Sequence, residues 1–417
     1  MTNNAEWLQR LQAVECRDSS YNAKVDPLVF ARAQGSTVWD AEGRSYIDLC
    51  AGFGVVALGH NNEVQKRVFA SSLNDEALVT HGMGDVYPSI AKIEMLETLA
   101  AALPSHLTKG GLALSGGQAV EFAVKTAQIA TGAKGFINFH GSYHGLDLGI
   151  LPLTSRQDFK DPFRGWLPED RVTELPFSCE LSLVRKAIHQ QKAAGFGCAA
   201  VIIEPIQGRA GIRKNGLDWL AGLADICQQE KVLLIYDEVF TGLGRTGQIT
   251  FAEMVPCDLL CLGKALGGGL PLSACFGRAE VMDAWPQNEG EGIHTGTFFG
   301  HPLSCRLGAE TLRTIQRQKL PQRSLELGSK LQVVLREKLQ HHPLFSDVRG
   351  QGLMVGLELS EPLAGARLMD ILRRHGVIAL ASGDKGQGIS ITPALNIGEH
   401  ELFLAVERIA IAMDDLE

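Results

Sequence analysis

Long hydrophobic runs and closely paired cysteines are missing from this 417-residue chain, and positive charge is in the minority. No apolar run approaches the roughly 18–20 residues that a membrane-spanning helix needs. The first residues have neither the basic start nor the apolar core of a secretory signal. The nine cysteines are scattered without a CxxC pair, which is typical of buried thiols in a reducing compartment and not of disulfides or zinc ligands. We therefore expect a cytoplasmic protein without a membrane partner.

The charge and size of the chain narrow the classes of protein further. The net charge is −8 and the pI is near 5.9, which argues against nucleic acid as a partner. With 45% hydrophobic and 21% charged residues, the composition is that of an ordinary globular enzyme. Because 417 residues are many for one core, two unequal domains are expected.

Short apolar runs alternate with amphipathic stretches through the middle of the chain. Strands are predicted over residues 111–115, 135–139, 198–204, 232–237, 258–263 and 273–277, and helices over 119–130, 181–194 and 217–230. This alternation predicts an α/β fold with a mostly parallel sheet covered by helices on both faces. After residue 301 the pattern predicts a long helix over 303–339 broken near 318–321, a strand over 352–359, and helices over 366–375 and 399–416.

The two ends of the chain are expected to pack together. Residues 38–49 are predicted to form an antiparallel hairpin that turns at Glu42-Gly43, and we expect the small C-terminal domain to pack together with this N-terminal segment. We divide the chain into an N-terminal segment (1–60), a large domain (61–300) and a small C-terminal domain (301–417).

An acid and a lysine follow two neighbouring predicted strands. Asp237 ends one apolar run, and Lys264 ends the next, 27 residues further on. An acid beneath a pyridine nitrogen and an amine that can form a Schiff base are what pyridoxal phosphate (PLP) requires of a protein. Each residue alone has a common structural explanation, so other motifs have to support this hypothesis.

A possible phosphate site precedes the first predicted helix of the large domain. Ser115-Gly116-Gly117 joins a strand to a good helix start. Backbone N–H groups at a helix N-terminus bind phosphate with the help of the helix dipole, and glycine allows close approach. Alone, this motif equally fits a plain strand-to-helix turn.

The next predicted strand runs into Tyr143, which lies between glycines and could cover a planar cofactor. His140 and His144 are four residues apart, a spacing that occurs in metal sites. The intervening glycines break any helix there, and no carboxylate completes a ligand set, so we predict no metal.

Together these motifs resemble the class III aminotransferases, a family of fold-type I PLP enzymes. The resemblance extends from about Pro27 to the last predicted helix, and its motifs occupy residues 35–40, 115–121, 143–145, 204–208, 237–239, 242–247, 263–271, 295–298 and 301–303. It implies a large domain with a mostly parallel seven-stranded sheet, a smaller α+β domain from the two chain ends, and PLP as cofactor.

The resemblance also implies roles for individual residues. Lys264 would form the Schiff base and act as the acid and base of the proton shift, while Asp237 would keep the pyridine nitrogen protonated. Tyr143 and Val239 would sandwich the ring. The phosphate would lie on Ser115, Gly116 and Gly117, and Thr297 would reach the phosphate of the neighbouring subunit in a homodimer. Arg245, between turn glycines, would be structural.

The chain departs from the family pattern at three positions. Leu146 and Ser390 stand where many relatives have arginines that bind substrate carboxylates, and Phe240 stands where a glutamine is common. Neither leucine nor serine can replace a bidentate arginine–carboxylate contact. Both expected carboxylate clamps are therefore missing.

Glu204 is retained, and we expect it to line the substrate pocket as an acid without its usual partner. Burying such an acid is costly, so it would be satisfied by water, by Arg156 or Arg164, or by a cationic substrate. One hypothesis is therefore a substrate amine without a carboxylate, such as a diamine, amino sugar or long-chain amine. The alternative, equally weighted, is that a different arginine supplies the clamp.

The leading function is ping-pong transfer of an amino group from an amine to a carbonyl compound. An aminomutase or racemase that uses the same cofactor is the alternative. A purely binding or regulatory protein of this fold is disfavoured because Lys264 is present and no basic helix-turn-helix precedes Gly35.

Overall fold

A seven-stranded sheet forms the centre of the molecule. The computed structural model describes residues 3–20, 27–73, 75, 79–81, 86–290 and 292–416. The strands of this sheet and of the smaller sheets are β1 (Phe30–Gln34), β2 (Thr37–Asp40), β3 (Ser45–Asp48), β4 (Lys109–Ala113), β5 (Gly135–Phe139), β6 (Val172–Leu175), β7 (Cys198–Ile203), β8 (Ile206–Gln207), β9 (Arg213–Lys214), β10 (Leu233–Asp237), β11 (Leu259–Leu262), β12 (Ser273–Gly277), β13 (Phe345–Gln351), β14 (Met354–Leu359), β15 (Val377–Ile378), β16 (Leu380–Ser382) and β17 (Gly388–Ile391).

The strand order of the central sheet is β4-β12-β11-β10-β7-β5-β6. β12 runs antiparallel to both of its neighbours, and the other pairs are parallel. The predicted mostly parallel, seven-stranded sheet is confirmed. Strands 135–139 and 273–277 have the predicted bounds, and the other predicted strands of this sheet differ by one or two residues at one or both ends.

Helices lie on both faces of this sheet and against the smaller sheets. They are α1 (Asn4–Gln12), α2 (Ala51–Gly54), α3 (Glu63–Leu73), α4 (Ile90–Ala102), α5 (Gly116–Thr131), α6 (Gln157–Lys160), α7 (Leu181–Ala193), α8 (Leu217–Glu230), α9 (Ala279–Met282), α10 (Pro302–Arg317), α11 (Leu320–Leu339), α12 (Ala364–Arg374) and α13 (Glu399–Asp414), with 3-10 turns at Leu151–Leu153, Asp161–Trp166, Glu169–Arg171, Phe251–Glu253 and Lys264–Gly267. None of the helices in the described ranges is long and apolar enough to cross a membrane.

Alternating side chains of the buried strands face opposite layers of the core. Ile235 of β10 packs with Ala123 of α5 on one face, whereas Leu234 and Tyr236 belong to the core on the other face together with Leu223 of α8. A strand that is buried on both faces must be apolar throughout, which is why β10 reads as a continuous hydrophobic run.

The two chain ends meet in a second, mixed sheet. β1, β2 and β3 form the predicted antiparallel hairpin system, and β15 from the C-terminal part adds in parallel to β3. A third sheet has the order β13-β14-β17-β16. The expected packing of the N-terminal segment against the C-terminal part is present, while the domain boundaries at residues 60 and 300 stay a prediction.

The break in the long C-terminal helix is also present. α10 ends at Arg317 and α11 begins at Leu320. Between them Lys319 adopts the left-handed conformation with φ 52°, which an α-helix cannot continue through. The chain therefore reverses at this point, and each helix packs separately.

Candidate active site

The predicted site residues gather at one edge of the central sheet. Tyr143, Glu204, Asp237 and Lys264 follow the carboxyl ends of β5, β7, β10 and β11, which are consecutive neighbours in the sheet. Because parallel strands end on the same side, residues far apart in sequence meet there, and ligands of open α/β sheets bind at this edge.

The carboxylate of Asp237 is buried and held in one orientation. Its Oδ1 accepts a hydrogen bond from the backbone N–H of Val239 at 3.1 Å, and its Oδ2 lies 2.7 Å from Nδ1 of His144. His144 is itself buried, and its Nε2 has no hydrogen-bond partner in the described part of the chain. The histidine thus orients the acid, a role that the sequence interpretation missed.

Lys264 occupies an unusual backbone conformation beside these acids. Its φ is 40°, in the left-handed region that costs a non-glycine residue about 1–3 kcal/mol. Burial lowers the pKa of its amine, the nearby Asp237 and Glu204 carboxylates oppose that effect, and Arg209 adds to the lowering. The ammonium lies 4.4 Å from the ring centroid of Phe240. An amine with a lowered pKa can accept a proton and attack a carbonyl more readily.

The Ser115–Gly117 turn begins α5 with a complete capping box. The Ser115 side chain accepts from the N–H of Gln118, whose own side chain bonds back to the turn. Ser273 of β12 donates to the Ser115 carbonyl at 2.6 Å. A Cβ on Gly116 would lie 2.6 Å from Cγ1 of Val239, so the turn predicted to bind phosphate lies directly beside the residue predicted to cover the ring.

Glu204 is not the unpaired acid that the sequence led us to expect. Its Oε1 accepts the backbone N–H of Tyr143 and its Oε2 accepts the backbone N–H of Gly208, both at 2.9 Å. Neither proposed arginine is its partner, since Arg156 pairs with Asp158, and Arg164 pairs with acids of its own loop. Glu204 therefore fixes the backbone around Tyr143, and the argument for a cationic substrate loses its premise.

Replacing Glu204 with glutamine is expected to flatten the pH dependence of stability. Burial raises the pKa of Glu204 from its ordinary 4.5 to about 7. Because the pKa of this carboxyl is higher in the folded state, its contribution to the free energy of unfolding is fully present below pH 4.5. That contribution falls by up to ~3 kcal/mol as the pH rises through about 7. Denaturant titrations across this range should show the free energy of unfolding falling more steeply in the parent protein than in Glu204→Gln.

Parallel pH curves for the two proteins would contradict this expectation. Glu238 is a second buried carboxyl whose pKa burial raises to about 7. It is present in both proteins, so its contribution cancels in the difference.

The three departures from the family pattern remove two expected arginines and one expected glutamine from the site. Leu146 is exposed. Ser390 lies within β17, where its hydroxyl is 3.4 Å from the Leu380 carbonyl. Phe240 covers the Lys264 ammonium, as described above. The sequence was therefore correct that these positions supply no arginine, and it did not identify what stands in their place.

Arg209 is the charged residue at the site that the sequence interpretation overlooked. Its guanidinium carbon lies 5.1 Å from the ring centroid of Tyr143. It follows the 204–208 motif directly, so the residue next to a recognised motif was the available signal. Arg245 differs from it: its buried guanidinium donates to the carbonyls of Leu353 and Pro393, in agreement with the structural role expected of it.

Thr297 is not brought to the other site residues within one chain. It is exposed in a turn segment, and no hydrogen bond within the described ranges joins it to the Ser115 turn or to Lys264.

The residues fit a flat, phosphorylated cofactor with a ring nitrogen. The buried Asp237 carboxylate can pair with a protonated nitrogen, and Tyr143 and Val239 offer two faces. The N-terminus of α5 offers backbone N–H groups to a phosphate, and a close approach there is possible because Gly116 carries no Cβ. Lys264 supplies the amine beside them.

Comparisons with known proteins agree with this geometry. The curated 5-aminovalerate aminotransferase DavT of Pseudomonas aeruginosa is 35% identical over 99% of both chains. The acetylornithine aminotransferase of Methanopyrus kandleri is 35% identical over 93% of this chain and 94% of that protein. Among solved structures, an (S)-enantioselective ω-transaminase from Thermomicrobium roseum superposes with a TM-score of 0.89 at 25% identity, covering 100% of this chain and 99% of that one.

A PLP-bound amine transaminase from an uncultivated Pseudomonas species gives a TM-score of 0.85 at 26% identity, covering 97% and 98% of the two chains. The family model for class III aminotransferases matches residues 20–413. Since the match spans nearly the whole chain, the fold and the family are those that the motifs indicated. The chain belongs to the class III aminotransferases.

Proposed function

We propose that this edge of the sheet transfers an amino group from an amine donor to a carbonyl acceptor in two half-reactions, with PLP as the cofactor. The observation that carries the proposal is the convergence of a buried, histidine-oriented Asp237 with a strained Lys264 whose amine pKa is lowered. PLP supplies an electron-withdrawing ring and an aldehyde that bonds to amines.

Lys264 has two tasks in this proposal. Its amine would hold the cofactor, and the same amine is placed to accept and return the proton that leaves the substrate carbon. Proton transfer by a positioned side chain is most efficient when its pKa is near the working pH. The burial that lowers the pKa of Lys264 brings the amine toward that range.

Asp237 and His144 act together on the ring nitrogen. The ionised carboxylate stabilises a positive charge at the nitrogen, and His144 keeps Oδ2 in place from the opposite side. Tyr143 and Val239 cover the two ring faces, and Ser115, Gly116 and Gly117 hold the phosphate. Glu204 positions Tyr143 by accepting the backbone N–H of that residue.

Adding a methyl group at Gly116 is expected to weaken cofactor binding by ~10- to 100-fold. The steric clash would cost about 1–3 kcal/mol and would distort the turn that is proposed to hold the phosphate. A Cβ at this position would meet Val239 at 2.6 Å. The dissociation constant of PLP would be measured by absorbance titration of Gly116→Ala. Gly216→Ala, at the N-cap of α8, is a matched control since no atom lies within 4 Å of its Cβ. Equal affinities in the two variants would contradict the proposed cradle.

We further propose a homodimer in which Thr297 reaches the phosphate of the neighbouring subunit. Support comes from its exposure and from large exposed apolar side chains on nearby segments, among them Tyr87, Ile90 and Phe298, since contiguous apolar surface is unusual on a monomer.

A reducing compartment, the cytoplasm, suits the nine unpaired cysteines. We also propose the division into a segment 1–60, a large domain 61–300 and a small domain 301–417.

An absorbance half-reaction tests the function directly. Single amines (glutamate, alanine, ω-amino acids, diamines and amino sugars) are added to the PLP-loaded enzyme, and conversion of the aldehyde form of the cofactor to its amine form is followed. Conversion by one amine, with a keto acid needed to restore the aldehyde form, supports transamination. Turnover of a single substrate to an isomer, with no second substrate required, would refute it in favour of an aminomutase or racemase.

A further inference from the structure

We propose that Arg209 binds the carboxylate of the substrates, so that the enzyme acts on amino acids and keto acids. Arg209 thereby provides the carboxylate recognition that Leu146 and Ser390 cannot. This inference rests on the proposed transamination and names its substrate class. The observation that carries it is the position of the guanidinium, whose carbon lies 5.1 Å from the ring centroid of Tyr143 on an exposed side chain.

The guanidinium of Arg209 is available to a ligand. Its side chain is exposed, and within the described ranges no carboxylate forms an ion pair with it. In Glu204, the acid of the 204–208 motif, both carboxylate oxygens accept hydrogen bonds from backbone N–H groups. Other arginines around the site are engaged, Arg156 by Asp158 and Arg213 by Asp384 and Gln207. The guanidinium N–H groups of Arg209 are therefore available to bind a substrate carboxylate.

The backbone that carries Arg209 is fixed on both sides. The N–H of Gly208 donates to Glu204 at 2.9 Å, and the carbonyl of Arg209 accepts from the N–H of Gly383 at 3.0 Å. A Cβ on Gly208 would lie 2.5 Å from the Phe240 ring, so the arginine starts directly beside the phenylalanine that covers Lys264. Glu204 is thus a positioning residue for the arginine as well as for Tyr143.

These contacts define the shape of the substrate that fits. The Lys264 amine lies against the apolar ring of Phe240, and Arg209, which follows the Gly208 that borders this ring, adds a positive charge beside Tyr143. The charge of Arg209 acts on both the Lys264 amine and the Tyr143 phenol, which places all three groups around one space. A chain with an amino or carbonyl group at one end and a carboxylate at the other matches this order, and guanidinium binds carboxylate in a bidentate manner.

The test compares Arg209→Gln with Arg156→Gln in the PLP-loaded enzyme. Both substitutions remove one positive charge near Tyr143, but Arg156 already has a carboxylate partner. The first readout is binding of glutarate, an unreactive dicarboxylate, measured by calorimetry. Arg209→Gln is expected to weaken it by ~10- to 100-fold, as loss of hydrogen bonds to a charged group implies, and Arg156→Gln is expected to change it less than about twofold.

The second readout compares an ω-amino acid with the alkylamine of the same length. Arg209→Gln should lower the ratio of their kcat/KM values by ~10- to 100-fold, mainly through the KM of the amino acid, and Arg209→Lys should recover part of the loss. Unchanged glutarate affinity, or an equal fall for both amines, would overturn the proposal and leave Arg209 as a cover for Tyr143. Failure of every amine to convert the parent enzyme would instead refute transamination, while glutarate binding would still report on Arg209.

Discussion

Lys264→Ala is expected to lower the rate of the amine half-reaction by about 10⁴-fold or more, because it removes both the covalent attachment and the acid–base group. Lys264 follows β11 with φ 40°, and burial lowers the pKa of its amine. The rate is measured from the single-turnover absorbance change with an amine that converts the parent enzyme. A small exogenous amine should restore part of the rate by accepting the proton.

Lys231→Ala is a matched control for this substitution. Lys231 also has a left-handed backbone, with φ 56°, but it caps α8 at the surface. Its replacement should leave the half-reaction unchanged. If Lys264→Ala retained more than about a tenth of the parent rate, the proton transfer would have to be assigned to another group.

Asp237→Asn is expected to lower the half-reaction rate by about 10²- to 10³-fold, the size of effect seen when one preorganised electrostatic contact is lost. The amide has the shape of the carboxylate but cannot carry the negative charge that keeps the ring nitrogen protonated. Cofactor content is measured alongside the rate, because the Ser115 turn and the Lys264 attachment should still retain PLP.

Asp258→Asn controls for the loss of a half-buried carboxylate on the same pair of strands. Asp258 precedes β11 at the opposite edge of the sheet, where it accepts the N–H of Leu234 at 2.8 Å. Its substitution should affect stability and leave the rate constant intact. A similar fall in rate for both variants would mean that Asp237 acts through the fold and not through the ring nitrogen.

The sequence predicted best the elements whose stability comes from burial alone. β5 and β12 are buried at every position, so their apolar runs stand out against the flanking turns. β6 was missed because it is an edge strand, Val-Thr-Glu-Leu, with no fully buried residue. Its strand conformation depends on pairing with β5, which a local pattern does not report.

Glu204 and Arg209 show the same limit within the site. The sequence retained Glu204 as a family residue, but its environment is set by the N–H of Tyr143, 61 residues away. Because the sequence does not show that contact, the acid was expected to need a cationic partner. Arg209 received no role because its neighbour Tyr143 comes from a different strand, so their proximity is a consequence of the strand order β7-β5.

By itself, the sequence determined the fold class and the family, and it singled out Lys264 and Asp237 as candidates, because these depend on residue types that follow one another along the chain. Tertiary structure alone decided that His144 orients Asp237, that Glu204 is held by backbone N–H groups, and that Arg209 faces Tyr143. The physical reason is that hydrogen bonds and charge interactions act over a few ångströms in space, and the separation of residues along the chain does not measure that distance.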